Sequence, residues 1–272
     1  MKNDGAQVIQ DHGVVSHEAW LEARRALLTR EKELTRLHDQ VSELRRALPW
    51  EAVTKPYRFD GPGGTRPLTE LFGGRSQLVV YHAMFDPPAA GPRTSWTETA
   101  ACRGCSFWMD HFDGITPHLS GRDVSLVAIS RGPYPALAAY QQRMGWRFPW
   151  WSSEHSDFNV DFGVSFPPEQ VAAGSVMYNF TPQPPRMSEL PGVSVFYRDP
   201  SGRVFHTYSA YARGLDALNV AYQVLDLVPN GRDEQDRGPY WVKRHDEYEA
   251  AGSCCSGPAA HTATGTPGQR AG

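Results

Sequence analysis

Two short apolar runs constrain this chain more than any other feature. Residues 77–85 read QLVVYHAMF and residues 124–130 read VSLVAIS. Each is a strand-length run of β-branched and aromatic residues without polar alternation, the pattern of a strand covered on both faces. Between them, residues 102–112 read as a helix with Phe107, Trp108 and Phe112 turned inward. Strand, helix and strand predict a parallel pair joined by a right-handed crossover. Residues 135–144 predict a second helix, with Pro135 at a permitted first-turn position. Residues 193–197 and 204–208 flank the turn-rich RDPSGR at 198–203 and predict a hairpin beside the same sheet. A further hairpin is expected at 57–72, around FDGPGG, and a helix at 215–227. The aromatic stretch 146–166 reads as a packed surface loop, and the charged stretch 232–248 as a surface strap. The plan is α/β, a central mixed sheet flanked by helices.

Ahead of this domain lies a different pattern. Over 16–48, Trp20, Leu27, Leu34, Val41 and Leu48 recur every seven residues, with Leu37 and Leu44 in the adjacent half-turn. Ser16 caps this helix and Pro49 stops it. The stripe suits a helix packed on its own domain or a coiled-coil seam. Four heptads is the lower limit for a coiled coil, so packing on the domain is expected, with a homodimer through this helix as the alternative. The division is therefore 1–15 flexible leader, 16–50 N-terminal helix, 51–250 main domain and 251–272 tail. The tail is Gly, Ser, Ala, Thr and Pro with almost no apolar bulk, and is expected to be disordered.

Composition narrows the function. The net charge is -3, which argues against a nucleic-acid partner. No apolar stretch approaches bilayer length, and residues 1–15 carry no apolar signal-peptide core. A cytoplasmic location, no membrane partner and no cofactor are expected. Four cysteines are too few to staple a secreted domain of 272 residues, so each needs its own explanation.

The first two are Cys102-Arg103-Gly104-Cys105, following a buried strand and opening a helix. In a βαβ setting this spacing reads as a redox pair. Unpaired N–H groups at a helix start favour a thiolate at Cys102, and Arg103 adds a neighbouring cation. Cys105 falls about one turn on, where it resolves a mixed disulfide. A structural zinc site needs four ligands, and only His111 and His118 are near in sequence, without zinc spacing. Ser106 stands where haem attachment requires His. No metal is therefore expected.

Several stretches resemble a bacterial thioredoxin-like family of otherwise unknown function, whose members are labelled predicted dithiol-disulfide oxidoreductases. They are HEAW at 17–20 with its Ala-Arg-Arg continuation, QLVVYHAM at 77–84, CSFW at 105–108 and MGWRFP at 144–149, followed by SDFNVDFGVS at 156–165, SVFYR at 194–198 and FHTYSAYARG at 205–214. The resemblance covers roughly 16–248. It implies a thioredoxin-like fold with a peroxiredoxin-like entering segment, and thiol-disulfide exchange with a protein or small-molecule partner and an unknown reductant.

The chain departs from the general thioredoxin pattern. Ala101 precedes the first cysteine, and Pro191 lies two residues before the strand at Val193, with Gly192 between. Peroxidase chemistry is the close alternative. Thr99 sits three residues before Cys102, as in peroxiredoxins, but Ser95 stands where their proline would be. A soft-metal or metallochaperone module is an alternative of another class, and an interaction protein using the N-terminal helix a third. His82 and His206 are candidates for proton transfer, with burial against backbone partners as the plainer expectation. The aromatic cluster from Trp146 to Phe166 is a candidate groove floor, more simply core packing. Cys254 and Cys255 are a candidate tail dithiol, more simply an incidental pair.

Overall fold

The computed structural model describes residues 12–85, 101–234 and 238–248. In chain order the elements are α1 (His17–Arg46), β1 (Glu51–Ala52), β2 (Arg58–Gly61), β3 (Gly64–Pro67), α2 (Leu68–Leu71), β4 (Gln77–His82), α3 (Arg103–Met109), α4 (Phe112–Ser120), β5 (Val124–Ser130) and α5 (Tyr134–Met144). There follow β6 (Trp150–Ser152), α6 (Phe158–Asp161), α7 (Pro168–Ala172), β7 (Val176–Tyr178), β8 (Thr181–Gln183), β9 (Gly192–Arg198), β10 (Val204–Tyr211) and α8 (Val220–Leu225). The described residues also include the 3₁₀ turns Ala212–Leu218 and His245–Glu247.

Eight strands form one sheet in the order β1-β10-β9-β4-β5-β6-β2-β3. β4 pairs parallel with β5, Tyr81 opposite Ala128, and antiparallel with β9 on its other side, Tyr81 opposite Val193. β10 returns antiparallel on β9. The β4-helix-β5 unit with the β9–β10 hairpin, ordered β5-β4-β9-β10, makes the fold thioredoxin-like. β6 and the β2–β3 hairpin extend this sheet at one edge, and β1 at the other. The two apolar runs occupy the middle of this sheet, which is why neither alternates.

β4 divides its side chains between two cores by its period of two. Tyr81 joins Cys105, Met109, Phe112, Tyr140 and Trp150 on one face. Leu78 and Val80 join Phe59, Phe72, Val127, Phe158 and Phe196 on the other. Both are aromatic-rich, and many ring pairs meet edge to face, such as Tyr81 with Phe112 at 5.3 Å.

The structure corrects four expectations. Residues 146–166 are no surface loop: β6 extends the sheet parallel to β5, and Trp150 and Phe158 are fully buried. A three-residue strand is too short to show a period, and its Trp150 buries its own polar atom by donating Nε1 to Ser130 Oγ at 3.0 Å. The helix expected at 102–112 is two, parted at Asp110 and His111. The one expected at 215–227 is a 3₁₀ turn and α8, divided where Asn219 caps the Tyr222 N–H. Finally, α1 starts as read, with the Ala19 N–H donating to Ser16 Oγ at 3.3 Å, but it buries no residue. Its stripe does not pack on the domain: Trp20, Leu27, Leu34 and Leu44 are 53–68% exposed. No helix among the described residues is long and apolar enough to cross a membrane.

Candidate redox site

The motif is tied to the end of β4. Past His82, Ala83, Met84 and Phe85 are buried, and the Cys102 N–H donates to the Met84 carbonyl at 3.3 Å. Cys102 is the residue before α3, in extended backbone with φ −53 and ψ 129, and its Sγ accepts the Cys105 N–H at 3.4 Å. The sulfur thus takes the place that a Ser or Asp oxygen holds at an ordinary helix start. Its carbonyl is held as well, by the Ser106 N–H at 2.8 Å and Ser106 Oγ at 2.9 Å. Ser106 in turn pairs with the Tyr140 hydroxyl at 2.9 Å.

The two thiols are free and in different surroundings, Cys102 half-buried and Cys105 buried. A hydrogen bond from the Cys105 thiol lowers the pKa of Cys102, helped by the N–H groups of Cys105 and Gly104 and by the Arg244 charge, against the cost of burial. Cys105 is pushed the other way, well up, first by burial and then by its role as donor to Cys102. Its Sγ accepts the Met84 N–H at 3.3 Å and lies within hydrogen-bonding reach of the Tyr81 hydroxyl. The two thiols are thus shifted in opposite directions.

Sequence reasoning placed the helpful cation at Arg103. The structure instead turns Arg103 outward, 60% exposed, with Nε 3.5 Å from Glu247. The cation acting on Cys102 is Arg244, a buried residue of the strap 238–248. It donates to the Ala101 carbonyl at 2.9 Å and to Glu247 at 2.7 Å, and its Nε has no partner. Tyr81 and Arg244 are the two site residues that sequence reading missed. Tyr81 was visible only as one more strand aromatic, and Arg244 comes from a segment 142 positions away, read as a surface strap.

His82 and His206 do not join the thiols. His82 leaves β4 on the opposite face from Tyr81, stacked on Phe158 at 5.4 Å. Its ring nitrogens meet Ser194 Oγ at 2.9 Å and Asn159 Oδ1 at 3.3 Å, and burial pushes its pKa down to about 4. His206 lies on that same face, edge-on to Phe162 at 5.2 Å, bonded to Ser209 Oγ at 2.8 Å. Neither meets the plainer expectation in full: His82 is buried, but its partners are side chains and not backbone, while His206 has the Tyr208 carbonyl 3.1 Å from Nε2 but stays partly exposed. Among the described residues no three His, Cys, Asp or Glu side chains are grouped to hold a metal ion. Thr99, Cys254 and Cys255 lie outside the described residues.

A cavity of about 330 Å³ opens beside the motif, lined by Tyr81, Met84, Gly104, Cys105, Trp108, Pro191, Leu215 and Tyr222. Arg213, Asp216 and Arg232 stand among its polar lining, with Asp216 bridging both arginines at 3.1 and 2.8 Å. Pro191 lines this cavity and directly precedes β9, which begins at Gly192 and not at the expected Val193; no cis peptide bond occurs among the described residues. The intervening Gly192 is required: a Cβ there would lie 2.8 Å from Val164 Cγ1 and 2.9 Å from Tyr211 Cδ1.

Residues 9–248 match the model of a family described as a bacterial protein of unknown function, DUF899. No curated protein sequence matches the chain. Among solved structures, a Cys-to-Ser mutant of Xanthomonas campestris peroxiredoxin Q is similar at 15% identity and TM-score 0.40, covering 65% of this chain and 98% of its own. Peroxidoxin BcpB from Mycobacterium tuberculosis is similar at 16% identity and TM-score 0.39, covering 65% and 97%. A Cys-to-Ser mutant of Arenicola marina peroxiredoxin 6 is similar at 14% and 0.37, covering 66% and 75%.

Proposed function

The chain belongs to the DUF899 family of bacterial proteins, and we propose that it is a thiol-disulfide oxidoreductase working through Cys102 and Cys105. The observation that carries this reading is the placement of the two free thiols: Cys102 caps the start of α3, half-buried, with its Sγ accepting the Cys105 N–H at 3.4 Å, and Cys105 lies buried one turn on. Exchange needs an accessible thiolate to attack and a protonated neighbour to follow. In the reductive direction the Cys102 thiolate attacks one sulfur of a substrate disulfide. The S–S bond breaks, one substrate thiolate leaves, and a mixed disulfide joins Cys102 to the other half. Cys105 then gives up its proton to the leaving thiolate and attacks Cys102 Sγ. The second half departs, and the pair is left as a disulfide. Two electrons pass to the substrate, and an external dithiol or thiol restores the pair.

The cavity beside Cys105 and Trp108 suits the substrate group next to the reacting sulfur. A cytoplasmic location fits such a cycle, since the thiol pool there keeps dithiols reduced.

The test uses metal-free, reduced protein mixed with a model disulfide and, separately, with hydrogen peroxide. Stopped-flow fluorescence follows both, with Trp108 beside the pair as reporter. Disulfide reduction is expected to depend on Cys102, to vanish in Cys102→Ser, and to stall as a mixed disulfide in Cys105→Ser. Fast peroxide reduction with slow exchange would turn the assignment to a thiol peroxidase. Activity that requires added metal would overturn both.

A further inference from the structure

We propose that α1 pairs in parallel with the α1 of a second copy of this chain, forming a two-stranded coiled coil. The helix is 30 residues long, about 45 Å at the α-helical rise, and none of its side chains is buried. Trp20, Leu27, Leu34, Val41 and Leu48 recur every seven residues, the period of a seam that stays in contact with another helix. Setting these as the a positions puts Ala23, Arg30, Leu37 and Leu44 at d. From Leu34 to Leu44 the a and d positions are all apolar, yet Leu34, Leu37 and Leu44 are 56–68% exposed. A helix whose stripe follows the seven-residue period is matched by another helix of the same period, and a second α1 supplies it.

Charge chooses both the partner and the direction. In a parallel pair each g position faces the e position five residues on in the other helix. Here that sets Ala19 against Arg24, Ala26 against Glu31, Glu33 against His38, and Gln40 against Arg45, with no like charges opposed. An antiparallel pair centred on Leu34, where each residue i meets residue 68 − i, would instead bring Glu33 beside Glu33 and Arg24 beside Arg45. Arg30 is the one charged residue in the seam, and its guanidinium is drawn aside to Glu33 at 2.5 Å. A single polar d residue of this kind fixes register at a cost in stability.

The measurement is the mass of the full-length reduced protein by light scattering and sedimentation equilibrium at micromolar concentration. The expected value is twice the 30.3 kDa chain mass. The double variant Leu34→Glu/Leu37→Glu is expected to halve it while leaving the far-ultraviolet spectrum of the folded domain in place, because both positions are exposed in the single chain. Arg30→Leu, which completes the seam, is expected to move dissociation to lower concentration. Leu44→Cys is expected to cross-link the dimer on mild oxidation beyond the level of the unaltered chain, since a parallel seam brings position 44 against itself. A wild-type monomer, or a double variant that stays dimeric, would overturn the proposal. A dimer that Leu44→Cys fails to cross-link would overturn its parallel direction.

Discussion

Replacing Arg244 by Met separates what this residue does for the fold from what it does for the thiol. Arg244 makes two charge-assisted hydrogen bonds, to the Ala101 carbonyl at 2.9 Å and to Glu247 at 2.7 Å. The first is buried, and bonds of this type contribute about 1.5–3 kcal/mol. The second ends on a carboxylate that is 27% exposed, so solvent screening reduces it to about 0.5 kcal/mol. The unpartnered Nε is already desolvated at a cost, and Met removes that penalty. The balance is a loss of about 2 kcal/mol, or roughly 4–8 °C in the thermal midpoint of a domain this size. The chemical effect has its own sign. The Arg244 charge lowers the Cys102 pKa, so its removal raises it, and the thiolate fraction at neutral pH falls. Because Arg244 ranks behind the hydrogen bond from Cys105, the rise is smaller than that caused by Cys105→Ala. The assay is the pH dependence of iodoacetamide alkylation at Cys102, read by mass spectrometry beside a melting curve. Arg244→Lys keeps the charge but not the fork, so it is expected to restore much of the alkylation profile and less of the stability. A profile unmoved by Arg244→Met, or moved to lower pH, would refute the electrostatic role and leave Arg244 as a structural tie.

Tyr81→Phe removes the hydroxyl beside Cys105 and is expected to slow closure of the Cys102–Cys105 disulfide about fivefold, ~1 kcal/mol, while Cys102 alkylation stays constant. Equal slowing of both steps would count against a role confined to Cys105. His82 titrates near 4 in the folded protein against about 6.5 unfolded, so the unfolded chain takes up the proton first. Stability attributable to His82 is therefore present above pH about 6.5 and lost as pH falls toward 4, by about 3 kcal/mol in all. His82→Gln is expected to flatten that part of the pH slope in denaturant titrations; identical slopes in both proteins would refute it. Trp150→Ala is expected to cost about 3–5 kcal/mol by chemical denaturation, as befits a buried aromatic and not a loop residue.

How much could be read in advance follows from how locally each feature is encoded. The runs at 77–85 and 124–130 are unalternating because β4 and β5 are covered on both faces, so composition alone identified the middle of the sheet. The hairpins announced themselves through RDPSGR and FDGPGG, where backbone chemistry dictates the turn. The Cys102–Cys105 spacing placed one sulfur at the start of α3 and the other a turn later, and both lie there. Residues 146–166 were misread because β6 and α6 span only three and four residues, less than a period needs to show itself. The histidines were set apart from the thiols by the pleat, which sends Tyr81 and His82 to opposite faces of one strand.

The sequence by itself determined the α/β plan, the hairpin turns, the placing of Cys102 and Cys105 at the start of one helix and the seven-residue period of α1, because each depends on residues close along the chain. Only the tertiary structure decided which cation stabilises Cys102. Adjacency favoured Arg103, yet at the start of α3 its side chain faces solvent and Glu247, while Arg244 crosses from a distant strap to reach Ala101. A charge acts through distance and burial, and neither is written in the order of residues.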